Sequence, residues 1–90
     1  MPEGREPYAL FMAPAADRQL AKLTIEIQDR LDPEIDALAD DPKPSGSTKL
    51  QGSVDSWRVR VGDYRIIYEV DEAAGEITVT RVAHRREVYR

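Results

Sequence analysis

The stretch that decides the fold covers residues 57–68 and reads Trp57-Arg58-Val59-Arg60-Val61-Gly62-Asp63-Tyr64-Arg65-Ile66-Ile67-Tyr68. It predicts two antiparallel strands joined by the two-residue turn Gly62-Asp63, in which glycine supplies the positive φ of a type II′ turn. Because side chains alternate along a strand, Arg58 and Arg60 share one face, with the apolar residues on the other. Arg65, just after the turn, falls on the arginine side. A cationic sheet face of this kind is typical of a surface that binds a polyanion.

A second basic cluster closes the chain and reads His84-Arg85-Arg86-Glu87-Val88-Tyr89-Arg90. It follows residues 76–83, which have the β-branched composition of a strand. If that strand pairs with the hairpin, the tail lies beside the cationic face. One surface then carries several guanidiniums, the imidazole of His84 and the phenol of Tyr89. Such a set can hold a phosphodiester and transfer protons around it.

Size and composition narrow the possible classes of function. Ninety residues predict a single domain over residues 1–90, of which we expect residues 1–6 to be disordered. The absence of cysteine excludes disulfides, thiolate catalysis and Cys-based zinc sites, and a single histidine excludes a multi-histidine metal site. A magnesium site made of carboxylates alone is open to Asp32, Asp36, Asp40 and Asp41, but a charge run of this kind is typical of a solvated helix face, so we expect no metal and no cofactor. No stretch resembles a signal peptide or a membrane span, so we expect a cytoplasmic protein without a membrane partner.

The net charge of −4 is unevenly distributed. Residues 1–41 contain four Lys/Arg and ten Asp/Glu, whereas residues 42–90 contain nine and seven. An acidic total argues against a nucleic-acid partner. Salt, however, screens charges beyond about 8 Å at physiological ionic strength, so the local charge of the basic half decides what binds there.

The order of elements predicts the fold class. Residues 8–13 have the pattern of a short strand, and apolar residues at spacings of three and four predict a helix over residues 15–31. Asp32-Pro33-Glu34 has the residue types of a helix start and predicts a second helix, which ends before Asp41-Pro42. Three strands follow. We therefore predict an α+β fold: an N-terminal strand, two helices and a three-stranded antiparallel meander, with the helices packed on one sheet face.

Three blocks of the sequence together resemble a known family. These blocks are Lys49-Leu50-Gln51-Gly52, residues 57–68, and His84-Arg85-Arg86-Glu87-Val88-Tyr89. They resemble the RelE/ParE toxins of bacterial and archaeal toxin–antitoxin systems, and the resemblance covers nearly the whole chain. The Glu-Val-Tyr ending is more similar to the RelE branch than to the ParE branch. The resemblance implies a RelE-like fold.

The resemblance also implies an activity and partners. RelE-like toxins are metal-independent endoribonucleases that cut messenger RNA in the ribosomal A site. In that reaction the 2′-hydroxyl attacks the adjacent phosphate and leaves a cyclic phosphate and a 5′-hydroxyl. The implied partners are the ribosome, messenger RNA and a RelB-like antitoxin that inhibits the toxin. Operator DNA is contacted only through the toxin–antitoxin complex.

Carried over position by position, the resemblance implies roles for individual residues. Arg65 aligns with the arginine that neutralises the scissile phosphate, and Tyr89 with the tyrosine that stacks on or orients the cut nucleotide. Basic positions of the hairpin and tail correspond to Arg58, Arg60 and Arg85. To RNA binding outside the reacting centre we assign Lys49 and Arg86.

One departure from the family pattern concerns proton transfer. The family prototype has lysines where this chain has Arg58 and Arg60. Arginine stabilises a dianionic transition state but effectively never loses its proton, so it is a poor general base. His84 is then the best titratable candidate. The absence of a suitable lysine indicates that assembled ribosomes supply part of the site.

Other interpretations of these residues remain open. Arg58 and Arg60 would have a purely structural role if they formed cross-strand ion pairs with Glu69 or Glu76. Trp57, Tyr64 and Tyr68 are assigned to packing, and Arg81 to the pairing network of the sheet, outside the site. At the level of function, the alternatives are a ParE-like toxin that inhibits DNA gyrase by binding and a non-catalytic homologue that acts with its antitoxin in operon repression.

Overall fold

The computed structural model of the protein describes residues 6–50, 52 and 55–88. In chain order the elements are β1 (Ala9–Met12), α1 (Pro14–Ala21), α2 (Ile25–Ala37), β2 (Thr48–Lys49), β3 (Ser56–Val61), β4 (Tyr64–Asp71), β5 (Glu76–His84) and α3 (Arg85–Val88). The strands form one sheet in the order β1-β5-β4-β3-β2. Strand β1 is parallel to β5, and the other neighbouring pairs are antiparallel.

The predicted fold class is confirmed. An N-terminal strand and two helices precede an antiparallel meander, which is formed by β3, β4 and β5. The short elements β2 and α3 were not predicted. Of the segment predicted to be disordered, residues 1–5 lie outside the described residues, and Glu6 has no regular secondary structure.

The core lies between the helices and one face of the sheet. Its buried members come from α1, α2 and the segment just after α2, and from β3, β4 and β5: Ala16, Leu31, Ile35, Leu38, Val59, Ile66, Tyr68, Val70, Ile77, Val79 and Val82. Trp57 and Tyr64 are partly buried and pack against this cluster. Packing of the helices on one sheet face is confirmed, and the opposite face, which we call the open face, carries the arginines of the hairpin.

The predicted helix boundaries are wrong. Instead of one helix over residues 15–31, α1 ends at Ala21 and α2 begins at Ile25. Thr24 causes the new start, because its side chain accepts a hydrogen bond from the backbone N–H of Ile27 at 3.3 Å and so caps α2. None of the helices in the described part of the chain is long and apolar enough to cross a lipid bilayer.

Pro33, which was predicted to start a helix, lies inside α2. A proline there removes one helical hydrogen bond and costs about 3 kcal/mol. Leu31, Ile35 and Leu38 are each at most 3% exposed. Burying each of these side chains contributes about 1.5–3 kcal/mol, so tertiary packing outweighs the local cost and the helix continues through the proline.

The hairpin turn forms as predicted. Gly62 has a φ of 59°, and no non-glycine residue among those described has a positive φ. Of the two mirror-image hairpin turns, type I′ would need a positive φ at Asp63 as well, so the angles fit type II′. The turn fixes the register that places Arg60 opposite Arg65.

A bulge in β5 interrupts its alternation. Tyr68 pairs with Val79 whereas the preceding Ile67 pairs with Arg81, which leaves Thr80 as the extra residue. The Thr80 hydroxyl donates to the carbonyl oxygen of Ile67 at 3.2 Å. Because of this extra residue, Val79 and Val82 both face the core although they are three positions apart.

Candidate active site

Three arginines of the hairpin share the open face. Arg60 is directly opposite Arg65 across β3 and β4, and Arg58 is opposite Ile67 in the next row. Cβ atoms of directly opposite residues are about 4.5–5.5 Å apart, so the side chains of Arg60 and Arg65 leave the sheet next to each other. The predicted common face of these arginines is confirmed. Like charges directly opposite destabilise a sheet, so an anion bound at this position would relieve the repulsion.

Arg65 is the most constrained of these side chains, with only 5% of its surface exposed. Its Nη1 donates to the carbonyl oxygens of Tyr64 at 3.1 Å and Gly62 at 3.4 Å. Hydrogen bonds of this kind lower the cost of burying a guanidinium. These two hydrogen bonds fix the guanidinium of Arg65 beside the hairpin turn.

The register shows where the two candidate ion-pair partners, Glu69 and Glu76, lie relative to the arginines. Glu69 lies opposite Ser56 on β3, and Glu76 lies opposite Asp71 at the far end of the open face. Neither carboxylate faces Arg58 or Arg60 across a strand. The register therefore contains no directly opposite pair between these residues, and Glu69 is the diagonal neighbour of Arg58.

The basic tail meets the hairpin at its turn. Helix α3 contacts both β4 and β5, and the backbone N–H of Arg85 donates to the carbonyl oxygen of Asp63 at 2.7 Å. The guanidinium of Arg85 lies 3.9 Å from the Asp63 carboxylate, and both side chains are more than half exposed. Such an exposed pair contributes little to stability. The backbone contact thus carries the predicted Arg85 to the arginine end of the sheet.

His84 lies elsewhere than expected. It pairs with Tyr64, whose side chain packs against the core, whereas its neighbour Ala83 pairs with Arg65. The imidazole contacts the Tyr64 ring edge-on, with 5.4 Å between ring centres and 82° between ring planes. The bulge at Thr80 is the cause, because the extra residue moves His84 to the helix side of the sheet. The expectation that His84 shares the face of the arginines is therefore wrong.

The two residues assigned to RNA binding occupy different positions. Lys49 pairs with Trp57, so it lies on the helix side of the sheet, while Thr48 is the residue opposite Arg58. Arg86 has an exposed side chain, and its backbone N–H donates to Nδ1 of His84 at 3.3 Å. The structure does not bring Lys49 to the arginines. Tyr89 lies outside the described residues, and its stacking role stays a prediction.

Two further arginines belong to this end of the molecule. Arg81 is opposite Ile67 and so lies in the same row of the open face as Arg58. Arg30 of α2 reaches the hairpin turn, where its Nη2 lies 2.7 Å from the position that a Cβ on Gly62 would occupy. No sequence pattern indicated either placement, because one depends on the bulge and the other on tertiary packing. We call Arg58, Arg60, Arg65 and Arg81 the arginine patch.

A cavity of about 270 Å³ lies beside the arginine patch, where β5 extends beyond β1. Gln19 forms part of the cavity wall and is held in place there, because its side-chain carbonyl accepts a hydrogen bond from the backbone N–H of Val82 at 2.8 Å. We call this the edge cavity, and it is lined by Gln19, Lys22, Leu23, Tyr64, Arg81, Val82, Ala83 and His84. His84 also borders a shallow depression that includes Asp63, Arg85 and Arg86.

Tyr68 has the packing role predicted for it. It is fully buried, and its hydroxyl donates to the carbonyl oxygen of Pro42 at 2.7 Å. Burial raises the pKa of Tyr68 to about 12; a hydrogen bond from Ser47 opposes the rise and the negative charge of Asp41 adds to it. The phenol is therefore protonated at neutral pH and takes no part in acid–base chemistry there.

Comparisons with known proteins agree with this geometry. The sequence profile of a family described as the ParE toxin of type II toxin–antitoxin systems, parDE, matches residues 10–89. The archaeal RelE–RelB complex from Pyrococcus horikoshii OT3 contains a similar chain, with 27% identity and a TM-score of 0.78 over 88% of this chain and 96% of that chain. No curated protein gives a significant match to the sequence.

Two other solved structures share the fold at lower identity. The RelBE2 toxin–antitoxin complex from Mycobacterium tuberculosis has 24% identity and a TM-score of 0.79, covering 92% of this chain and 97% of that chain. The isolated RelE toxin of E. coli has 24% identity and a TM-score of 0.76, covering 91% and 90%. The fold is thus found in both bacteria and archaea.

Proposed function

The chain belongs to the ParE toxin family of type II toxin–antitoxin systems, and from its likeness to a RelE toxin and its paired arginines we propose that it inhibits growth by cutting messenger RNA in the ribosomal A site. In the proposed reaction the 2′-hydroxyl attacks the adjacent phosphate and displaces the 5′-oxygen. The products are a cyclic phosphate and a 5′-hydroxyl. The proposed chemistry needs neither a metal ion nor a cofactor.

The observation that carries this proposal is the pairing of Arg60 with Arg65 on the open face. A phosphate under attack gains negative charge in the transition state. Cationic donors already in place stabilise that charge without reorganising during the reaction. Arg65 suits this role best, because its burial and its two carbonyl contacts hold the guanidinium in position.

In the proposed mechanism the toxin stabilises the charge of the transition state, and the ribosome supplies the general base. The arginines cannot accept a proton. Nδ1 of His84 accepts a hydrogen bond from the backbone N–H of Arg86 at 3.3 Å, so this nitrogen already has a partner. That arrangement, together with its place on the helix side, makes His84 a poor base for the 2′-hydroxyl. The predicted role of Tyr89 in orienting the cut nucleotide is kept in the proposal.

A RelB-like antitoxin is the proposed partner. The relatives from Pyrococcus horikoshii and Mycobacterium tuberculosis were both crystallised as toxin–antitoxin complexes. We propose that the antitoxin folds as it binds and covers basic surface of this chain. Operator DNA would then be contacted only through the complex.

The substitution Arg65→Ala tests the proposed activity. Removing one preorganised donor typically costs about 10²–10³ in rate, so growth inhibition should be lost while the antitoxin still binds. Cleavage is measured by primer extension on ribosomes programmed with a defined messenger RNA. Because Arg65 is buried, thermal unfolding of the variant must show that it folds. A folded variant that cuts at the wild-type rate would rule out the arginine mechanism.

Inhibition of DNA gyrase is the second candidate, and the match to the ParE profile favours it. A gyrase inhibitor would act by binding and would leave messenger RNA intact. Induction of the toxin followed by primer extension on cellular RNA, alongside a supercoiling assay with purified gyrase, separates the two. New 5′ ends within codons support the nuclease, whereas inhibited supercoiling with intact RNA supports the gyrase inhibitor.

A further inference from the structure

We propose that the edge cavity binds the nucleotide next to the scissile linkage of single-stranded RNA. The base would lie against the ring of Tyr64, and its phosphate would lie near Lys22. This inference rests on the proposed nuclease function, and it adds a second binding site at the edge of β5.

The side chains lining the cavity fit an anionic ligand with an aromatic part. Lys22 and Arg81 are cationic, and no carboxylate occurs among the described residues that line the cavity. This is notable in a protein with a net charge of −4. The carbonyl oxygen of the Gln19 side chain is used by Val82, which leaves the amide nitrogen as a donor directed by a fixed side chain.

Aromatic side chains supply the surface for a base. Tyr64 and His84 are half-buried, and their edge-on contact holds both rings in place. Stacking on a preformed aromatic surface is how single-stranded nucleic acids are commonly bound without reading of sequence. A volume of about 270 Å³ is just below the roughly 300–1,000 Å³ of sites for drug-sized ligands, so it suits one nucleotide rather than a larger molecule.

The edge cavity also lies next to the arginine patch, where an RNA strand bound by the arginines can reach it. Across the strands, Arg60, Arg65 and Ala83 form one row of the open face, and Ala83 itself lines the cavity. An RNA strand gripped by the arginine patch therefore reaches the cavity by passing the edge of β5. At this end of the sheet β1 no longer covers that edge, because its register ends at Met12 and Val79.

The test uses the full chain, labelled with ¹⁵N, and a single-stranded RNA tetranucleotide whose 2′-O-methyl groups prevent cleavage. We expect the amide signals of Gln19, Lys22 and Tyr64 to shift on titration. Lys22→Glu should weaken binding at least fivefold, which corresponds to losing a contact worth about 1 kcal/mol. Arg18→Glu is the matched control, since Arg18 is an exposed cation of α1, four residues before Lys22, and does not line the cavity; its effect should stay below twofold.

The outcomes separate this proposal from the nuclease itself. Unshifted edge-cavity signals, or equal effects of Lys22→Glu and Arg18→Glu, would overturn the second site even if ribosomal cleavage depends on Arg65. Shifted signals in a protein that cuts no RNA would support the site and refute the nuclease. A glutamate-rich peptide of the same charge that shifts these signals as strongly as the RNA would overturn the assignment to a nucleotide.

Discussion

The two ends of the open face have opposite charge. At the hairpin end lie the arginine patch and, at the turn, Arg85. At the other end, on the same face of the same strands, lie Glu69, Asp71 and Glu76. The boundary falls within β4, between Ile67, opposite Arg58, and Glu69, opposite Ser56.

This difference explains how an acidic protein can present an anion-binding surface. The net charge of −4 describes the whole chain, whereas a bound phosphate responds to charges within about 8 Å at physiological ionic strength. Segregation along the strands keeps Glu69, Asp71 and Glu76 out of the rows that hold the arginine patch. Asp63, at the turn, is the exception and lies 3.9 Å from Arg85. The segregation also gives an approaching polyanion one preferred orientation, with its backbone at the hairpin end.

Reversing one charge at each end of the open face should produce the largest difference in cleavage activity between two variants. Arg60→Glu places a carboxylate opposite Arg65, so we expect cleavage of messenger RNA on ribosomes to fall at least about 100-fold. Glu76→Lys reverses the opposite charge at the acidic end, and its effect should stay within about threefold. Both side chains are exposed, so both variants should fold. Similar losses in the two variants would show that net charge, rather than its placement, controls activity.

Tyr68 lies at the boundary between the two ends, on the core side of β4. Because its pKa is raised in the folded protein, we expect the stability of the protein to depend on pH. Its folded pKa of about 12 lies above the unfolded value near 10, so the folded state holds this proton more tightly. The resulting stability is fully present below pH 10 and is lost as the pH rises through 12. The full loss is on the order of 3 kcal/mol.

Tyr68→Phe isolates this contribution from other titrating groups. At pH 8 the variant should be less stable by about 1 kcal/mol, because it lacks the hydrogen bond to Pro42. Above roughly pH 11 the order should reverse, since phenylalanine does not ionise. Urea unfolding of both proteins at several pH values measures this. A constant difference between them would show that Tyr68 does not titrate with a raised pKa.

Arg81 and His84 provide a smaller test of which residues belong to the arginine end. Arg81 lies in the row of Arg58, so Arg81→Ala should lower kcat/KM for RNA cleavage about tenfold, as expected for one charge contact of about 1.4 kcal/mol. His84→Gln keeps a donor and removes the titratable group, and it should change kcat less than threefold. A larger loss of kcat with His84→Gln than with Arg81→Ala would place His84 at the reacting phosphate.

Much of the fold and part of the site follow from local rules. Alternation along residues 57–68 and the glycine of the turn were enough to predict the hairpin, its register and the shared face of Arg58, Arg60 and Arg65. A two-residue turn permits little slippage between its strands. For the same reason Arg60 and Arg65 are the part of the site best determined by the sequence.

The sheet faces on which Arg81 and His84 lie could not be predicted in the same way. Counting from the core residues Ile77 and Val79 by strict alternation puts Arg81 in the core and His84 on the open face. The bulge at Thr80 reverses both assignments. A bulge is favoured when it lets more apolar residues reach the core, here Val82, and that depends on the packing partner rather than on the strand alone.

The predicted helix boundaries were wrong for a related reason. Asp32-Pro33 has the residue types of a helix start, yet α2 continues through it because Leu31, Ile35 and Leu38 pack on the sheet. The position of Arg30 against the hairpin turn depends on that continuous helix. Local signals therefore predicted that a helix occurs, and tertiary packing decided where it begins.

A double-mutant cycle between Arg60 and Arg65 tests most directly whether the two guanidiniums act on one phosphate. The single-turnover rate of messenger RNA cleavage on ribosomes is measured for Arg60→Ala, Arg65→Ala and the double variant. If both side chains stabilise the same charge, the double variant should be little slower than the slower single variant. Rate losses that simply multiply would mean that the two arginines act independently, and would contradict a shared phosphate site.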